Sequence, residues 1–408
     1  MQRAEPFARR RLPKTIVDYI AVITTGPIQM LLYVHVPFCV SKCRYCAFSS
    51  QVMDMDVLET WEQTVSAEAA HYGALLKKPS VETVYLGGGT PSLLPSWAFD
   101  RLMKSLRRNF TIPKDIEFTL EANPDSAVDK DLMHQWRSAG VNRISLGVQS
   151  MNEAELVMLG RPHGVADVLT AVQRLRAAGF ANLSVDLIWG LPGQRLKQWM
   201  DTLKAAVRLG PEHISAYGLT LEEGTPMARI AEEGALVMPP EDEAAKMYVH
   251  GGDFLEEQGY LHYEISNFGR MGFSSRHNQG YWEGKDYLGL GPSAVSTLAG
   301  RRWQNPSDVA GYAALARSKG WGREAETLTP EVRARELLML SLRTSKGVRL
   351  AEYRRLTGRD LATAEPKLMS ALRQKELIRI KDGCLRLTRQ GMLVSNLIIG
   401  RLLFPDGN

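Results

Sequence analysis

LLYVHVPFCVSKCRYC, residues 31–46, is the stretch of sequence that says most about the fold. Five of its first six residues are apolar, aromatic or β-branched, with His35 as the exception, and this predicts a buried strand over 31–36. Three thiols follow in one short loop, at Cys39, Cys43 and Cys46. A strand that ends at a loop with metal-binding or reactive side chains is typical of parallel α/β proteins, whose active sites lie at the carboxyl ends of the strands.

Five further apolar runs repeat this pattern along the chain. They predict strands over 81–86, 116–120, 143–148, 183–188 and 213–219, and amphipathic helical stretches separate them. Each strand ends at polar or glycine-rich residues, among them Gly87-Gly88-Gly89-Thr90-Pro91, Glu121-Ala122-Asn123-Pro124, Gln149, Gly190-Leu191-Pro192-Gly193 and Thr220. Six strands fall short of the eight in a complete barrel. We therefore predict an α/β fold, an incomplete (β/α)6 TIM-like barrel.

The domain organisation follows from where this alternation starts and stops. Residues 1–29 are read as an N-terminal extension that is disordered or results from an over-long start, 30–225 as the core barrel, and 226–324 as a less regular region. In 325–408, helical patterns at 330–345, 349–357 and 362–375 precede short strands at 378–380 and 384–387 and a helix from 388. This order predicts a C-terminal winged-helix-like domain.

Composition narrows the class of protein. The chain has 408 residues, 44% of them hydrophobic and 23% charged, which excludes disordered and collagen-like proteins. No run of about 18 apolar residues occurs, so no spanning helix is expected. Three of the four cysteines crowd into eight positions, which favours metal-binding thiolates over a disulfide framework and predicts a cytoplasmic location.

The charge is concentrated at the C-terminus. Residues 325–408 hold 16 Lys and Arg against 9 Asp and Glu, a net +7, whereas the rest of the chain is at −2. Winged helices that bind DNA present positive charge as a stripe. Here the arginines are scattered among acids, so we predict no nucleic-acid partner and disfavour a DNA-binding regulator with an iron-sulfur sensor.

The spacing Cys39-x3-Cys43-x2-Cys46 allows three thiolates of one loop to face a common iron cluster. Clusters normally take four cysteines, and the remaining one, Cys384, lies in the predicted C-terminal wing. Three ligands would leave one iron of a [4Fe-4S] cube open to an exogenous ligand. The alternative is a zinc site in which His35 supplies the fourth ligand.

These motifs resemble those of the radical S-adenosylmethionine (SAM) enzymes. Their CxxxCxΦC loop holds a [4Fe-4S] cluster that the nucleotide completes, and Tyr45 occupies the aromatic Φ position. The glycine triplet 87–89, one strand later, is similar to the superfamily's glycine motif, in which bare backbone approaches the methionyl amine. The resemblance implies [4Fe-4S] and SAM as cofactors.

The chain more narrowly resembles the oxygen-independent coproporphyrinogen oxidase family over nearly all of 31–400. The matching segments are YVHVPFC at 33–39, EANP at 121–124, GVQS at 147–150, LGR at 159–161 and DLIWGLPG at 186–193. The resemblance implies that the SAM site comprises Tyr33, Tyr45, Gly88, Gly89, Thr90, Glu121, Gln149, Arg161, Asp186 and Thr220.

Two features direct the resemblance toward heme chaperones of the HemW type. The oxidases carry a further cysteine two residues after the third cluster ligand, where this chain has Phe48. Residues 277–282, HNQGYW, are similar to the HNxxYW motif of the chaperones. The resemblance implies heme contacts from His277, Tyr281 and Trp282, with His277 as iron ligand. The alternatives are a structural histidine buried in a loop and an iron ligand at His35 or His262.

Two functions are consistent with these motifs. The first is a heme chaperone that transfers heme to an acceptor hemoprotein of unspecified identity, touching a membrane only transiently if that acceptor is membrane-bound. The second is a radical SAM enzyme, an oxidative decarboxylase or methyltransferase, acting on a tetrapyrrole such as coproporphyrinogen III. Either could use an electron donor such as a flavodoxin. Phe48 and the HNxxYW motif favour the chaperone.

Overall fold

The computed structural model describes residues 29–318 and 320–404. The predicted extension, 1–29, lies outside this part of the chain apart from Gln29. Among the helices of the described residues, none combines the length and the apolar content that crossing a bilayer would require.

Strands and helices alternate regularly from residue 29 to 218. They are β1 (Gln29–Val36), β2 (Phe38–Cys39), β3 (Gln51–Val52), α1 (Met55–Leu75), β4 (Ser80–Gly88), α2 (Ser96–Asn109), β5 (Glu117–Ala122), α3 (Lys130–Ser138), β6 (Arg143–Gln149), α4 (Glu153–Leu159), α5 (Val165–Ala177), β7 (Asn182–Trp189), α6 (Leu196–Arg208) and β8 (His213–Gly218). Strands β1, β4, β5, β6, β7 and β8 stand side by side in this order, and each neighbouring pair is parallel. The six predicted strands and the incomplete barrel are thus confirmed.

Local sequence explains where these elements begin and which way their side chains face. Asp54, Asp129 and Asn152 each accept hydrogen bonds from two backbone amides at the start of α1, α3 and α4. Along β6, Ile144, Leu146 and Val148 are buried in the hydrophobic core. Because side chains alternate along a strand, the residues between them point to the opposite, inner face of the sheet. The polar side chains of the strands lie on that inner face.

Residues 226–327 extend the same sheet on both sides. Their elements are α7 (Pro226–Glu232), α8 (Glu241–Glu257), β9 (Leu261–Glu264), β10 (Asn267–Gly269), α9 (Arg276–Trp282), β11 (Tyr287–Leu290), β12 (Val295–Leu298), β13 (Arg301–Gln304), α10 (Val309–Arg317) and β14 (Glu326–Thr327). Strand β11 adds parallel to β1, β12 to β14 continue antiparallel, and β10 pairs antiparallel with β8, so the sheet has twelve strands among the described residues. The sequence shows no regular pattern here because these strands have only two to four residues.

A buried carboxyl group joins α1 to this extension. Glu68 accepts hydrogen bonds from the Gly291 backbone N–H at 2.9 Å, the Asn305 amide at 2.8 Å and the Tyr312 hydroxyl. Burial raises the pKa of Glu68 to about 7 against the lowering effect of these hydrogen bonds. The position of β11 and of the turn after it therefore depends on one titratable group.

The C-terminal part has a core of its own. Its elements are α11 (Pro330–Ser341), β15 (Val348–Arg349), α12 (Leu350–Thr357), α13 (Leu361–Ala364), α14 (Pro366–Gln374), β16 (Ile378–Lys381), β17 (Cys384–Leu387), α15 (Arg389–Leu393) and α16 (Ser395–Leu403). The three strands form a small antiparallel sheet in the order β15, β17, β16. Thirteen buried apolar residues between 338 and 402 pack as one cluster. The predicted winged-helix order is confirmed.

Ion pairs and backbone hydrogen bonds attach this domain to the barrel. Arg389 pairs with Asp253 and with Glu256, the latter at 2.7 Å. Arg302 of β13 pairs with Glu336 of α11. Two backbone amides also cross the boundary, since the N–H groups at 265 and 345 donate to the carbonyls at 343 and 263. A cavity lies beside this contact, between α9, β11, α11 and α12.

Candidate functional site

The cysteine loop is held at both ends. Strand β2, which carries Cys39, pairs with β3, so residues 39–52 form a closed loop at the carboxyl end of β1. Cys43 is buried, and Cys39 and Cys46 are half-buried. No disulfide joins any of the cysteines, all of which lie within the described residues. Cys384 sits in β17 and lines neither of the two cavities described below.

Side chains from distant parts of the chain reach two of the three sulfur atoms. A guanidinium nitrogen of Arg161 donates to Cys43 Sγ at 3.3 Å, and the Thr90 hydroxyl lies 3.6 Å from Cys39 Sγ. Burial raises the pKa of Cys46, although a backbone hydrogen bond from Phe48 opposes this. The loop therefore presents sulfur ligands to one cavity, with a cation placed beside the most buried of them.

The zinc alternative fits this arrangement less well than an iron-sulfur cube. Within the described part of the chain, no three His, Cys, Asp or Glu side chains converge where a single metal ion could sit. In a cube, three cysteines bind three different irons, so they need not converge on one point. Both ring nitrogens of His35, the predicted fourth zinc ligand, are already engaged, by the Tyr33 hydroxyl at 3.0 Å and the Ser49 carbonyl at 2.7 Å.

The three cysteines open onto the cofactor cavity, of about 420 Å³, at the carboxyl ends of the parallel strands. Nine of the ten residues predicted for SAM line it, namely Tyr45, Gly88, Gly89, Thr90, Glu121, Gln149, Arg161, Asp186 and Thr220. Tyr33 is the exception: it lies in the neighbouring cavity instead, although its ring centroid is only 6.1 Å from that of Tyr85, which lines the cofactor cavity.

The glycine motif is packed more tightly than its sequence suggests. Gly88 has φ of +108°, a conformation that side chains rarely adopt, and its N–H donates to Glu121 at 3.0 Å. A Cβ at Gly88 would lie 2.5 Å from the His35 ring, and one at Gly89 would lie 2.6 Å from the Phe38 carbonyl oxygen. The missing side chains therefore serve the packing of the cysteine loop as well as any approach of a ligand to the backbone.

Carboxylates and one arginine line the floor of the cofactor cavity. Asp186 accepts hydrogen bonds from three serine hydroxyls, those of Ser145, Ser184 and Ser215, at 2.6–3.2 Å. Glu121 accepts from the Tyr85 hydroxyl at 2.7 Å, and burial raises its pKa to about 7. Sequence analysis did not identify Arg143, which is only 2% exposed and whose Nε has no hydrogen-bond partner among the described residues. Its position on the inner face of β6, two residues before Ser145, was the available signal.

A second cavity of about 740 Å³, the aromatic cavity, lies between the barrel edge and the C-terminal domain. Tyr281, Trp282 and Tyr287 line it, as do Tyr33 and His35 of β1. Ala47 and Phe48, which directly follow the third cysteine, line both cavities, and Phe48 is 68% exposed. The two cavities therefore meet at the end of the cysteine loop.

His277 does not face the aromatic cavity. It is 1% exposed at the start of α9, and its ring is hydrogen-bonded to the Thr83 hydroxyl at 2.7 Å and to the Tyr281 hydroxyl at 3.1 Å. Its pKa is lowered to about 3, mainly by burial and also by Arg143, so the ring is neutral. Glu117 holds the helix start by accepting from the backbone N–H groups of Arg276 and His277. With both ring nitrogens engaged, this conformation matches the structural alternative for His277 rather than the predicted iron ligand.

Two family models match the chain, the radical SAM superfamily over residues 33–206 and the HemN C-terminal domain over 328–394. Heme chaperone HemW of Bacillus subtilis is 34% identical over 373 residues, which cover 91% of this chain and 98% of the relative. The chain belongs to the HemW family. Radical S-adenosyl methionine domain-containing protein 1, mitochondrial, of Mus musculus is 36% identical over 321 residues, or 79% of this chain and 70% of the relative.

A solved structure supports the HemW-family fold as a whole. Coproporphyrinogen III oxidase (HemN) from Escherichia coli superposes with a TM-score of 0.81 over 95% of this chain and 92% of its own, at 23% sequence identity. At that identity the likeness concerns the fold alone. It extends across the barrel, the sheet extension and the C-terminal domain.

Proposed function

We propose that this HemW-family chain is a heme chaperone, which binds heme and transfers it to an acceptor hemoprotein while holding a [4Fe-4S] cluster and SAM. The observation that carries the proposal is the meeting of the two cavities at Ala47 and Phe48. One cavity has sulfur ligands and a polar floor, and the other has the flat apolar surfaces that suit a macrocycle. A chaperone of this kind needs both.

The residues of the cofactor cavity fit a [4Fe-4S] cluster and SAM. Cys39, Cys43 and Cys46 would hold three irons, and the fourth iron would be open to the nucleotide. The Cβ-free edge at Gly88 and Gly89 provides backbone polar groups next to the cluster loop. The buried Arg143 Nε, without a partner among the described residues, matches a cavity that is completed by a polar ligand. When bound, the cluster and SAM supply one-electron chemistry.

The chain's own groups position these ligands and control protons. Arg161 holds the Asn123 amide oxygen at 2.6 Å and the Gly147 carbonyl at 2.8 Å while it donates to Cys43, which fixes the guanidinium beside the sulfur. Asp186, with three serine donors, is suited to ribose or amine contacts, and burial raises its pKa. Glu121 orients the Gly88 amide. Together they form a preorganised polar wall.

Heme is assigned to the aromatic cavity. Tyr281 and Trp282 of the HNxxYW segment line it, and Tyr287 packs edge-on against Tyr281 with ring centroids 4.7 Å apart. His277 supports this wall from behind, because its ring bonds the Tyr281 hydroxyl. The contribution of the motif to heme binding would then come from its aromatic residues, with the histidine as a positioning residue.

The second candidate is a radical SAM enzyme acting on a tetrapyrrole such as coproporphyrinogen III. The intact polar wall of the cofactor cavity favours it, since Glu121, Arg161 and Asp186 all line that cavity. The oxidase resemblance is incomplete at Phe48, which stands where those enzymes carry a cysteine. We therefore expect no conversion of coproporphyrinogen.

We further place this function in the cytoplasm, because closely spaced unbridged cysteines require a reducing compartment. An electron donor such as a flavodoxin would reduce the cluster, and contact with a membrane would be transient, through a membrane-bound acceptor. The C-terminal arginines are not arranged as a stripe, so the proposal includes no nucleic acid.

The test is an anaerobic reconstitution followed by addition of hemin and then of an apo-hemoprotein. Heme should bind in a 1:1 ratio and appear in the acceptor. The Cys43→Ala variant should bind heme but transfer it poorly. Failure of the reconstituted protein to bind heme, or conversion of coproporphyrinogen at about 1 per second, would contradict the chaperone function.

A further inference from the structure

We propose that the C-terminal domain supplies half of the heme site, with Met339 as an iron ligand and Arg333 and Arg355 as partners of the propionates. This inference rests on the proposed function and specifies its site. The aromatic cavity has two walls from different parts of the chain. Tyr281, Trp282 and Tyr287 form one, and helices α11 and α12 form the other through Leu337, Met339, Leu340 and Leu356. A flat ring placed between them contacts both domains.

The histidines near the cavity are already engaged. His277 does not line it, and both of its ring nitrogens are hydrogen-bonded. His35 lines it, but its nitrogens bond Tyr33 and Ser49. His262, the other alternative, stacks on Phe268 at 4.3 Å, bonds the Ile265 carbonyl and does not line the cavity. Ligation by His277 or His35 would break an existing hydrogen bond, and His262 lies outside the cavity.

Among the described residues, the Met339 side chain makes no hydrogen bond that iron ligation would break. The Met339 side chain is half-buried, packs against the C-terminal core and lines the cavity. A thioether is an established heme ligand and needs no deprotonation. The phenols of Tyr33 and Tyr281 are less suited, because burial raises the pKa of each and keeps it neutral. The methionine sulfur is therefore a donor that is available to iron without loss of a hydrogen bond or a proton.

Two of the cations at the cavity are available to a dicarboxylate. The charged residues that line it are four cations and four acids, namely Lys285, Arg302, Arg333, Arg355, Glu283, Asp286, Glu336 and Glu352. Lys285 pairs with Glu82 at 2.7 Å, Arg302 with Glu336, and Glu283 with Lys346. The Asp286 carboxyl lies near Arg333 without forming a salt bridge with it. Arg333 and Arg355 form no salt bridge with any described residue, and both are exposed. They lie on the first turn of α11 and the second turn of α12.

Exposed guanidiniums at the edge of the aromatic cavity suit the propionates of a heme, which would lie at the solvent edge of that cavity. Glu352 also lines the cavity, one helical turn before Arg355, and makes no salt bridge with a described residue either. It provides a control of opposite charge, because its carboxylate would repel the propionates that the arginines attract.

The first experiment tests the iron ligand by optical and magnetic circular dichroism titration of the full chain with hemin. Wild type should show the charge-transfer band of thioether-ligated ferric heme. Met339→Leu, which keeps the apolar volume, should lose that band and raise Kd about tenfold, a loss of about 1.4 kcal/mol. Leu340→Ala removes volume from the same wall and should keep the band. A band unchanged in Met339→Leu would overturn the ligand assignment.

The second experiment tests the propionate partners with hemin and with its dimethyl ester, which lacks the carboxylates. The double variant Arg333→Gln with Arg355→Gln should bind hemin about tenfold more weakly and bind the ester as wild type does, because only hemin carries the charges. Glu352→Gln should bind hemin at least as tightly as wild type. Equal losses for both probes would refute the propionate contacts.

Hemin binding by the wild-type chain distinguishes failure of the proposed function from failure of this inference. If the wild-type chain binds no hemin, the proposed function fails and this inference fails with it. If wild type binds hemin while Met339→Leu and the arginine variants bind and absorb unchanged, heme lies elsewhere and only this inference is overturned.

Discussion

The cofactor cavity and the aromatic cavity share Ala47 and Phe48 but are built in different ways. Successive strand ends of one parallel sheet line the cofactor cavity, so its residues follow a pattern that repeats along the chain. The aromatic cavity combines β1, the segment 281–302 and the helices α11 and α12. A change to a strand-end motif should therefore act on the first cavity, whereas the second should respond to contacts between distant segments.

The largest expected effect is loss of the cluster from the cofactor cavity while the aromatic cavity still binds hemin. Cys43→Ala removes the most buried of the three thiols and should abolish the iron-sulfur absorption after anaerobic reconstitution, because thiolates are the cluster ligands. Iron analysis, the optical spectrum and hemin titration would be recorded on the same sample. Hemin binding should persist, and Cys384→Ala should behave as wild type. A full cluster in Cys43→Ala would refute the ligand set.

A substitution at the glycine motif should affect both cavities, because Gly88 lies between the cofactor cavity and His35. Gly88→Ala puts a Cβ 2.5 Å from the His35 ring, which lines the aromatic cavity, and requires a strained φ of +108°. We expect SAM affinity by calorimetry to fall at least about tenfold, with a smaller loss of cluster. Gly210→Ala has a positive φ and no neighbour within 4 Å, so it should leave SAM binding unchanged. Unaltered affinity in Gly88→Ala would contradict the packing argument.

His277→Ala should weaken the aromatic cavity and leave the cofactor cavity intact. The variant loses the bonds to Thr83 and Tyr281 inside the protein, and we expect the free energy of unfolding to fall by about 1–3 kcal/mol. Urea denaturation of the heme-free protein measures this directly. Thr83→Val, which breaks one of the same bonds, should show part of the loss. Full stability combined with loss of the heme band would instead identify His277 as the iron ligand.

The smallest effect, taken per pH unit, is a pH dependence of stability that arises from Glu68 near β11. Glu68 holds Gly291 and has a pKa of about 7, above the ordinary value near 4.5, so the folded state binds the proton more tightly than the unfolded state. Stability should therefore decrease as pH rises from about 4.5 to 7, by up to about 1 kcal/mol per unit. Glu68→Gln should flatten this part of the curve, measured by thermal unfolding. Identical slopes in both proteins would show that another group controls it.

Sequence alone determined the parts of this molecule that depend on local pattern. The six strands and the order of the C-terminal domain were predicted from apolar periodicity, which reveals which residues lie on a strand. The family resemblance pointed to ten residues for SAM, and the structure brings nine of them to one cavity with the three cysteines. Parallel strands bring their carboxyl ends to one edge of the sheet without any further information.

Tertiary structure decided what depends on partners far apart in the chain. Cys43 receives Arg161 across 118 residues, and His277 is buried against Thr83, 194 residues earlier. The HNxxYW motif could not show whether its histidine faces a ligand or the core, and Tyr33 belongs to the aromatic cavity although its motif implied the SAM site. A sequence pattern specifies that a side chain is buried, but the identity of its neighbours follows only from how the elements pack.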